Sequence, residues 1–189
     1  NETHPAGYLG LMCPPMRSVN MPLIPQSEWS GLIKSMEQSK SRLSDIRRNA
    51  LGDGKAMPAL DQNGQGYCWD YGPTGAVQLV RATNNLPYVR LSAHAIGCKI
   101  KNFQDEGGWG AQGLDFICSR GVPSDKFWPM KSVDRRNDNE ATWQNSALHK
   151  ITEGFMDMQA PQYDRTMSFD QVMTCLLLRI PVICDFNWW

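Results

Sequence analysis

A loop that leads into a helix decides the organisation of this chain. Its sequence, over residues 61–69, is Asp61-Gln62-Asn63-Gly64-Gln65-Gly66-Tyr67-Cys68-Trp69. The glycines and the Asn predict a turn, and a helical pattern runs from about Cys68 to Asn84-Asn85. We therefore expect Cys68 in the first turn of a helix, where the helix dipole and the unpaired backbone N–H groups favour a thiolate over a thiol.

This arrangement is typical of a catalytic nucleophile. Gln62, six residues before Cys68, can fold back so that its side-chain amide and the Cys68 N–H point at one spot. Two donors aimed at one spot are what an oxyanion hole requires. The alternative is that Cys68 is an ordinary packed residue, which is the more common role of a Cys in such a loop.

Hydrophobic periodicity predicts that most of the chain before residue 120 is helical. Besides the helix at Cys68, we predict helices over 27–48, 91–98 and 111–119, a Pro-rich extended arm over 1–26 and a polar loop over 101–108. After a polar insertion over 131–145, we predict a strand over 149–158, a helix from Ser168 to about Leu178, and a buried strand over 180–186. Helices followed by a sheet predict an α+β fold with two lobes.

Composition and charge exclude several classes of partner. The chain has 41% hydrophobic and 20% charged residues, a net charge of zero and a pI near 7.0. Without an excess of positive charge, we expect neither nucleic acid nor an anionic membrane as a partner. The longest apolar stretch, over 172–184, is interrupted by Arg179 and Pro181 and is shorter than the ~20 residues that a membrane-spanning helix needs.

The cysteine spacing excludes common metal and redox motifs. The cysteines stand at positions 13, 68, 98, 118, 175 and 184, with no C-x-x-C pair. A zinc ribbon and a thioredoxin-type motif are excluded, and we predict no metal site. Cys118, Cys175 and Cys184 lie in apolar contexts and are predicted to be core residues. We expect the cytoplasm or another reducing compartment.

A glycine pattern at residues 108–113 matches the dinucleotide fingerprint G-x-G-x-x-G. A polar loop precedes it instead of a buried strand, and Asp105 and Glu106 would repel a phosphate group. We therefore reject a nucleotide site and predict no cofactor.

Several short motifs recur along the chain in a specific order. They are Gln62 with Cys68-Trp69 and Gly66 between them, then Leu91-Ser92, Gly107-Gly108-Trp109, Gly121-Val122, Trp128-Pro129 and Pro181-Val182. In residue type, order and spacing this series resembles the papain-like cysteine proteases, and Asp45-Ile46-Arg47 and Pro58 extend the resemblance upstream. The similarity covers residues 45–186, which is most of the chain.

The resemblance implies a fold, a division of the chain and a set of site residues. The implied fold has a helical lobe with the nucleophile over 45–135 and a β-sheet lobe, incomplete in this chain, over 136–189. Residues 1–44 would then be an extension or a prosegment. Cys68 and Gln62 would be catalytic, and Gly66, Gly107, Gly108 and Trp109 would bind a peptide or protein substrate.

Two departures from the family pattern concern a disulfide and the catalytic base. Gln65 and Asp105 stand where the resemblance places the two halves of a disulfide. His94 falls in a helix of the first lobe and His149 precedes Pro181, so we interpret both as surface or partly hydrogen-bonded imidazoles. The family's His and Asn are therefore expected beyond Trp189, on a C-terminal continuation or on a second chain that completes the fold.

The sequence thus predicts a papain-like thiol peptidase that hydrolyses peptide bonds through Cys68. The alternative is a catalytically inactive module of the same fold that binds or supports a larger assembly. Absence of the base within the chain favours this alternative if Trp189 is the true end.

Overall fold

Helices dominate the computed structural model, which describes residues 23–38, 59–84, 86–151 and 168–183. The helices are α1 (Gln26–Gln38), α2 (Cys68–Thr83), α3 (Ala93–Ile100), α4 (Gly110–Arg120), α5 (Glu140–Ala147) and α6 (Phe169–Leu177), with a 3₁₀ turn at Arg135–Asn137 between α4 and α5. None of the helices in these ranges combines the length and the apolar character needed to cross a bilayer.

The predicted α+β fold with two lobes is wrong. Within the described ranges the β-structure is one isolated antiparallel bridge, between Leu91 and Ser124, and there is no sheet or barrel. Residues 149–151 and 180–183, predicted as parts of two strands, have no strand structure, and the remainder of both predicted strands lies outside the described residues.

The physical reason is visible at the end of α6. The N–H of Ile180 donates to Cys175 O at 2.8 Å, and Arg179 adopts a left-handed conformation with φ of 60°. This hydrogen bond and the left-handed Arg179 complete the C-terminus of α6. The start of the apolar run predicted as a strand over 180–186 therefore belongs to the cap of this helix. A short apolar run does not by itself specify a strand, because a strand also needs a neighbour to receive its backbone hydrogen bonds.

The helices predicted from periodicity are confirmed where they are described. The predicted start of α2 at Cys68 agrees with the structure, and α4 extends the predicted range by one residue at each end. The start of α6 follows Ser168, whose hydroxyl accepts from Gln171 N while the Gln171 side chain accepts from Ser168 N. Helix α1 agrees with the prediction up to Gln38, and residues 39–48 lie outside the described ranges.

Helix α5 was not predicted from the sequence. Periodicity did not reveal it because its sequence, over 140–147, is polar on most sides. The side chain of Asn139 accepts from Thr142 N and caps the helix, and Ser146 Oγ donates to Arg120 O at 3.0 Å. Capping and side-chain hydrogen bonds therefore hold α5 against the end of α4.

The core consists of two adjoining apolar clusters packed between α2, α3 and α4. One contains the buried residues Tyr67, Trp69, Ala95, Cys98 and Trp128, and the other contains Val77, Leu91, Ile96, Ile117 and Val122. Two of the three cysteines predicted for the core are described: Cys175 is buried and Cys118 is only half-buried. Cys184 lies outside the described residues.

Helices α1 and α6 form a separate contact. The rings of Trp29 and Phe169 meet edge to face with centroids 5.8 Å apart, and Ile24 N donates to Thr174 Oγ1 at 3.1 Å. The side-chain amide of Gln26 donates to the carboxylate of Asp170. Helix α1, predicted to be amphipathic, thus contacts α6 through Trp29 and Gln26.

Candidate active site

The turn before Cys68 is built by residues that tolerate a left-handed backbone. Asn63 and Gly64 have φ values of 59° and 72°, and Asn63 N donates to Asp61 Oδ1 at 2.8 Å. The backbone carbonyl of half-buried Gln62 accepts from Gln65 N at 3.3 Å. The chain reverses at this turn and enters α2 at Cys68.

Cys68 is exposed, although its two neighbours are almost completely buried. Tyr67 is 1% exposed and Trp69 is 4% exposed. Two large buried rings fix the backbone on either side of the thiol, while the thiol itself remains at the surface. This is the placement that a nucleophile for an external substrate requires.

The segment 104–108 holds the Cys68 turn through hydrogen bonds to three positions around it. Gly66 N donates to Asp105 Oδ1 at 2.5 Å, Tyr67 Oη donates to Gln104 O at 2.9 Å, and Trp69 Nε1 donates to Glu106 O at 3.3 Å. Trp69 Nε1 also donates to Gly66 O at 2.9 Å. Residues almost forty positions apart are thereby joined beside the thiol.

The glycine at position 108 is part of the same contact. A β-carbon on Gly108 would lie 2.5 Å from the Trp69 ring, so only glycine allows this approach. Gly107 is buried, and the half-buried Trp109 precedes the first residue of α4, its N–H donating to Gln112 Oε1 at 3.1 Å. The structure therefore brings Gly66, Gly107 and Gly108 to the turn that carries Cys68. The contact that the structure gives for Gln62 is the hydrogen bond from Gln65 N to its backbone carbonyl.

Gln65 and Asp105, where the resemblance places a disulfide, both make hydrogen bonds instead. Asp105 accepts from Gly66 N, and Gln65 Oε1 is hydrogen-bonded to His94 Nε2. The Gln65 bond thus ties the turn to α3, and the Asp105 bond ties the turn to the loop before α4.

His94 is completely buried, unlike the surface or partly bonded imidazole that we expected. Its Nδ1 lies 3.1 Å from Tyr71 Oη, and its Nε2 bonds Gln65. Because the tyrosine hydroxyl can donate and the amide oxygen can only accept, both bonds are satisfied by a neutral ring with its proton on Nε2. Burial, with a smaller effect from the positive charge of Lys131, lowers the pKa of His94 to about 4.

His149 is also buried, with its Nδ1 3.0 Å from the carbonyl oxygen of Val122. Burial and the charge of Arg81 lower its pKa, although the hydrogen bond to Val122 opposes this shift. A neutral His149 donates its Nδ1 proton to this carbonyl. Both described histidines are therefore neutral, buried and hydrogen-bonded.

Asp70 is a buried acid that the sequence analysis did not single out. It is completely inaccessible to solvent, and among the described residues neither carboxyl oxygen has a hydrogen-bond partner. Burial raises the pKa of Asp70 well above its ordinary value, while the charge of Lys101 opposes the shift. An acid in the first turn of a helix normally indicates an exposed group that stabilises the dipole, so the sequence carries no signal of this burial.

Within the described ranges, no group of three or more His, Cys, Asp or Glu side chains could hold a metal ion.

No protein-family model, curated protein or solved structure matches this chain.

Proposed function

We propose that the protein is a thiol peptidase in which Cys68 attacks the carbonyl carbon of a peptide bond. The thiolate forms a C–S bond and the carbonyl oxygen becomes an oxyanion. Collapse of this intermediate breaks the C–N bond and releases the amine, which takes up a proton from a general acid. Water then hydrolyses the thioester, releasing the carboxylic acid and restoring Cys68.

One observation carries this proposal. Exposed Cys68 is the first residue of α2, and the turn before it is bonded to the segment 104–108, which includes the predicted substrate-binding residues Gly107 and Gly108. Gly66, Tyr67 and Trp69 fix the turn through hydrogen bonds to 104–106, and the Trp69 ring lies against Gly108. A peptide bound along Gly107 and Gly108 would lie beside the turn that presents Cys68. Such preorganisation lowers the entropic cost of attack.

The start of α2 also suits a developing negative charge. Tyr67 occupies the N-cap position and gives α2 no side-chain capping hydrogen bond within the described residues. The Asp70 N–H already donates to Tyr67 O at 2.9 Å, so donation to a thiolate or an oxyanion would come from the backbone N–H groups before Asp70. Gln62, on the turn just before, is the proposed second donor to the oxyanion.

The proton donor of this proposal is a histidine outside the described residues. His94 uses both ring nitrogens on Tyr71 and Gln65, and His149 is bonded to Val122. His94 cannot take this role without breaking a buried hydrogen bond, and the described hydrogen bond of His149 does not join it to the turn that carries Cys68.

The test is cleavage of a mixed peptide library, followed by mass spectrometry of the products and of the protein. We expect an acyl adduct on Cys68, and a loss of cleavage of at least about 10³-fold in Cys68→Ala. Cys118→Ser is the matched control, because Cys118 lies on α4 and is half-buried. Equal cleavage by wild type and Cys68→Ala, or no cleavage and no adduct in any condition, would reject the peptidase.

The second candidate is a binding module without catalysis. The observation that favours it is the state of His94 and His149, which are both buried and hydrogen-bonded. In this case Cys68→Ala and wild type would retain the same library peptides with equal affinity, and neither would cleave them.

A further inference from the structure

We infer that His94 is a positioning residue for Cys68, joining the turn before the thiol to the helix after it. This inference rests on the proposed function only in naming Cys68 as the nucleophile. His94 is not itself the base, and it acts by holding the Cys68 thiol in position.

The two partners of His94 lie symmetrically about Cys68 in the sequence. Gln65 is three residues before the thiol, and Tyr71 is three residues after it, one turn further along α2. His94 Nε2 bonds Gln65 Oε1, and His94 Nδ1 lies 3.1 Å from Tyr71 Oη. The imidazole therefore connects the two segments that flank the nucleophile.

The beginning of the turn lies close to the same group. Tyr71 Oη is also 3.4 Å from Asp61 O, and the Asp61 carboxylate pairs with Lys131 Nζ at 2.8 Å. Because the Tyr71 hydroxyl has one proton and donates it to His94 Nδ1, its approach to Asp61 O is a packing contact, and the turn is bonded to the imidazole through Gln65.

The imidazole is itself held rigidly. His94 lies on α3 and is 0% exposed, and its ring meets the rings of Tyr67 and Tyr71 edge to face with centroids 5.5 Å and 5.8 Å away. A planar ring with two nitrogens at a fixed spacing keeps Gln65 and Tyr71 at a fixed separation. A flexible or single-ended side chain at position 94 would not do so.

The experiment measures the rate at which iodoacetamide alkylates Cys68 from pH 5 to pH 9, with peptide mapping to assign the label. Tyr71→Phe removes one hydroxyl and keeps the ring, and Gln65→Ala removes the other partner from a half-buried position in the turn. His94→Asn retains an acceptor near the place of Nδ1 but cannot reach Gln65. His149→Asn is the matched control, a buried histidine bonded away from this turn.

We expect Tyr71→Phe, Gln65→Ala and His94→Asn each to change the Cys68 rate at neutral pH by at least about threefold and to alter its pH profile. His149→Asn should lower the thermal midpoint without moving this profile. If Tyr71→Phe and Gln65→Ala remain folded and their profiles coincide with wild type, the positioning role is wrong. These two variants decide the question even if His94→Asn does not fold.

The result separates this inference from the proposed function. A changed Cys68 profile in the variants, with no peptide cleavage by wild type, would support the positioning role and reject the peptidase. Cleavage by wild type with unchanged profiles in Tyr71→Phe and Gln65→Ala would do the reverse.

Discussion

A β-carbon on Gly113 would lie 2.5 Å from Asp70 Oδ1. The carboxyl group of Asp70, on α2, therefore lies directly against the backbone of α4 at Gly113. A β-carbon on Gly97 of α3 would lie 2.8 Å from Asp70 Oδ2. The acid is enclosed between two glycines, and three helices approach each other through it.

Asp70→Asn should stabilise the protein at neutral pH. Because burial raises the pKa of Asp70 above the ordinary value of 3.8, the folded protein keeps a proton that the unfolded chain releases as pH rises. The contribution of Asp70 to wild-type stability is therefore lost progressively above about pH 4, whereas the Asn variant has no such loss. We expect a gain of at least about 1 kcal/mol at pH 7 and little gain at pH 4, measured by urea unfolding. A difference between the two proteins that does not grow with pH would contradict the assignment of a buried acid.

Gly113→Ala and Gly75→Ala should have opposite effects, although both glycines are inside helices. A β-carbon on Gly75 meets no atom within 4 Å, so alanine should stabilise by about 0.5–1 kcal/mol through its better helix propensity. At Gly113 the clash with Asp70 should destabilise by about 1–3 kcal/mol. Chemical denaturation of both variants tests the signs.

A double variant locates the cause of that effect. In an Asp70→Ala background the carboxyl group is absent, so Gly113→Ala should cost less than it does in wild type. Equal costs in the two backgrounds would assign the clash to another neighbour, such as Pro73. The Cγ atom of Pro73 would lie 3.3 Å from the new β-carbon at position 113.

Gly121→Ala should be among the most destabilising single substitutions in the described residues. Gly121 has φ of 81°, and a β-carbon there would overlap the backbone oxygen of Ser146, at the junction of α4 and α5. Strain and a clash with backbone should together cost more than about 3 kcal/mol. Gly64→Ala is the control, since φ is 72° but no atom lies within 4 Å, and a cost of about 1 kcal/mol is expected. Thermal melts that place the two variants together would show that the contact with Ser146 adds nothing.

In the Asp70→Asn background, stability should fall on acidification from about pH 6.5 to pH 4. Burial holds the pKa of His94 at about 4, below its ordinary 6.5, so across this range the unfolded chain binds a proton that the folded protein excludes. His149, whose pKa is also lowered by burial, acts in the same direction. We expect His94 alone to account for about 1–3 kcal/mol of the loss. Unfolding should be followed in the Asp70→Asn background, because Asp70 contributes the opposite slope; a flat profile there would contradict a buried neutral His94.

Local rules predicted those helices whose ends carry local signals. The start of α2 follows the Asn63-Gly64 turn, and the start of α6 follows the Ser168 cap. The strand over 180–186 was predicted from a run of apolar residues alone, and its described part proved to begin in the cap of a helix. Helix α5 has a local cap at Asn139, but it was missed because its sequence is polar on most sides and its bond to Arg120 joins residues distant in sequence.

The sequence by itself determined that Cys68 opens a helix and that glycines stand at 66, 107 and 108, because turn and cap preferences act over a few residues. Only the tertiary structure decided that Asp105 accepts from Gly66 and that His94 joins Gln65 to Tyr71. It also decided that Asp70 is buried against Gly113. These contacts depend on how α2, α3 and α4 pack, and packing brings together residues that no local pattern relates, since burial and hydrogen-bond partners are properties of the assembled core.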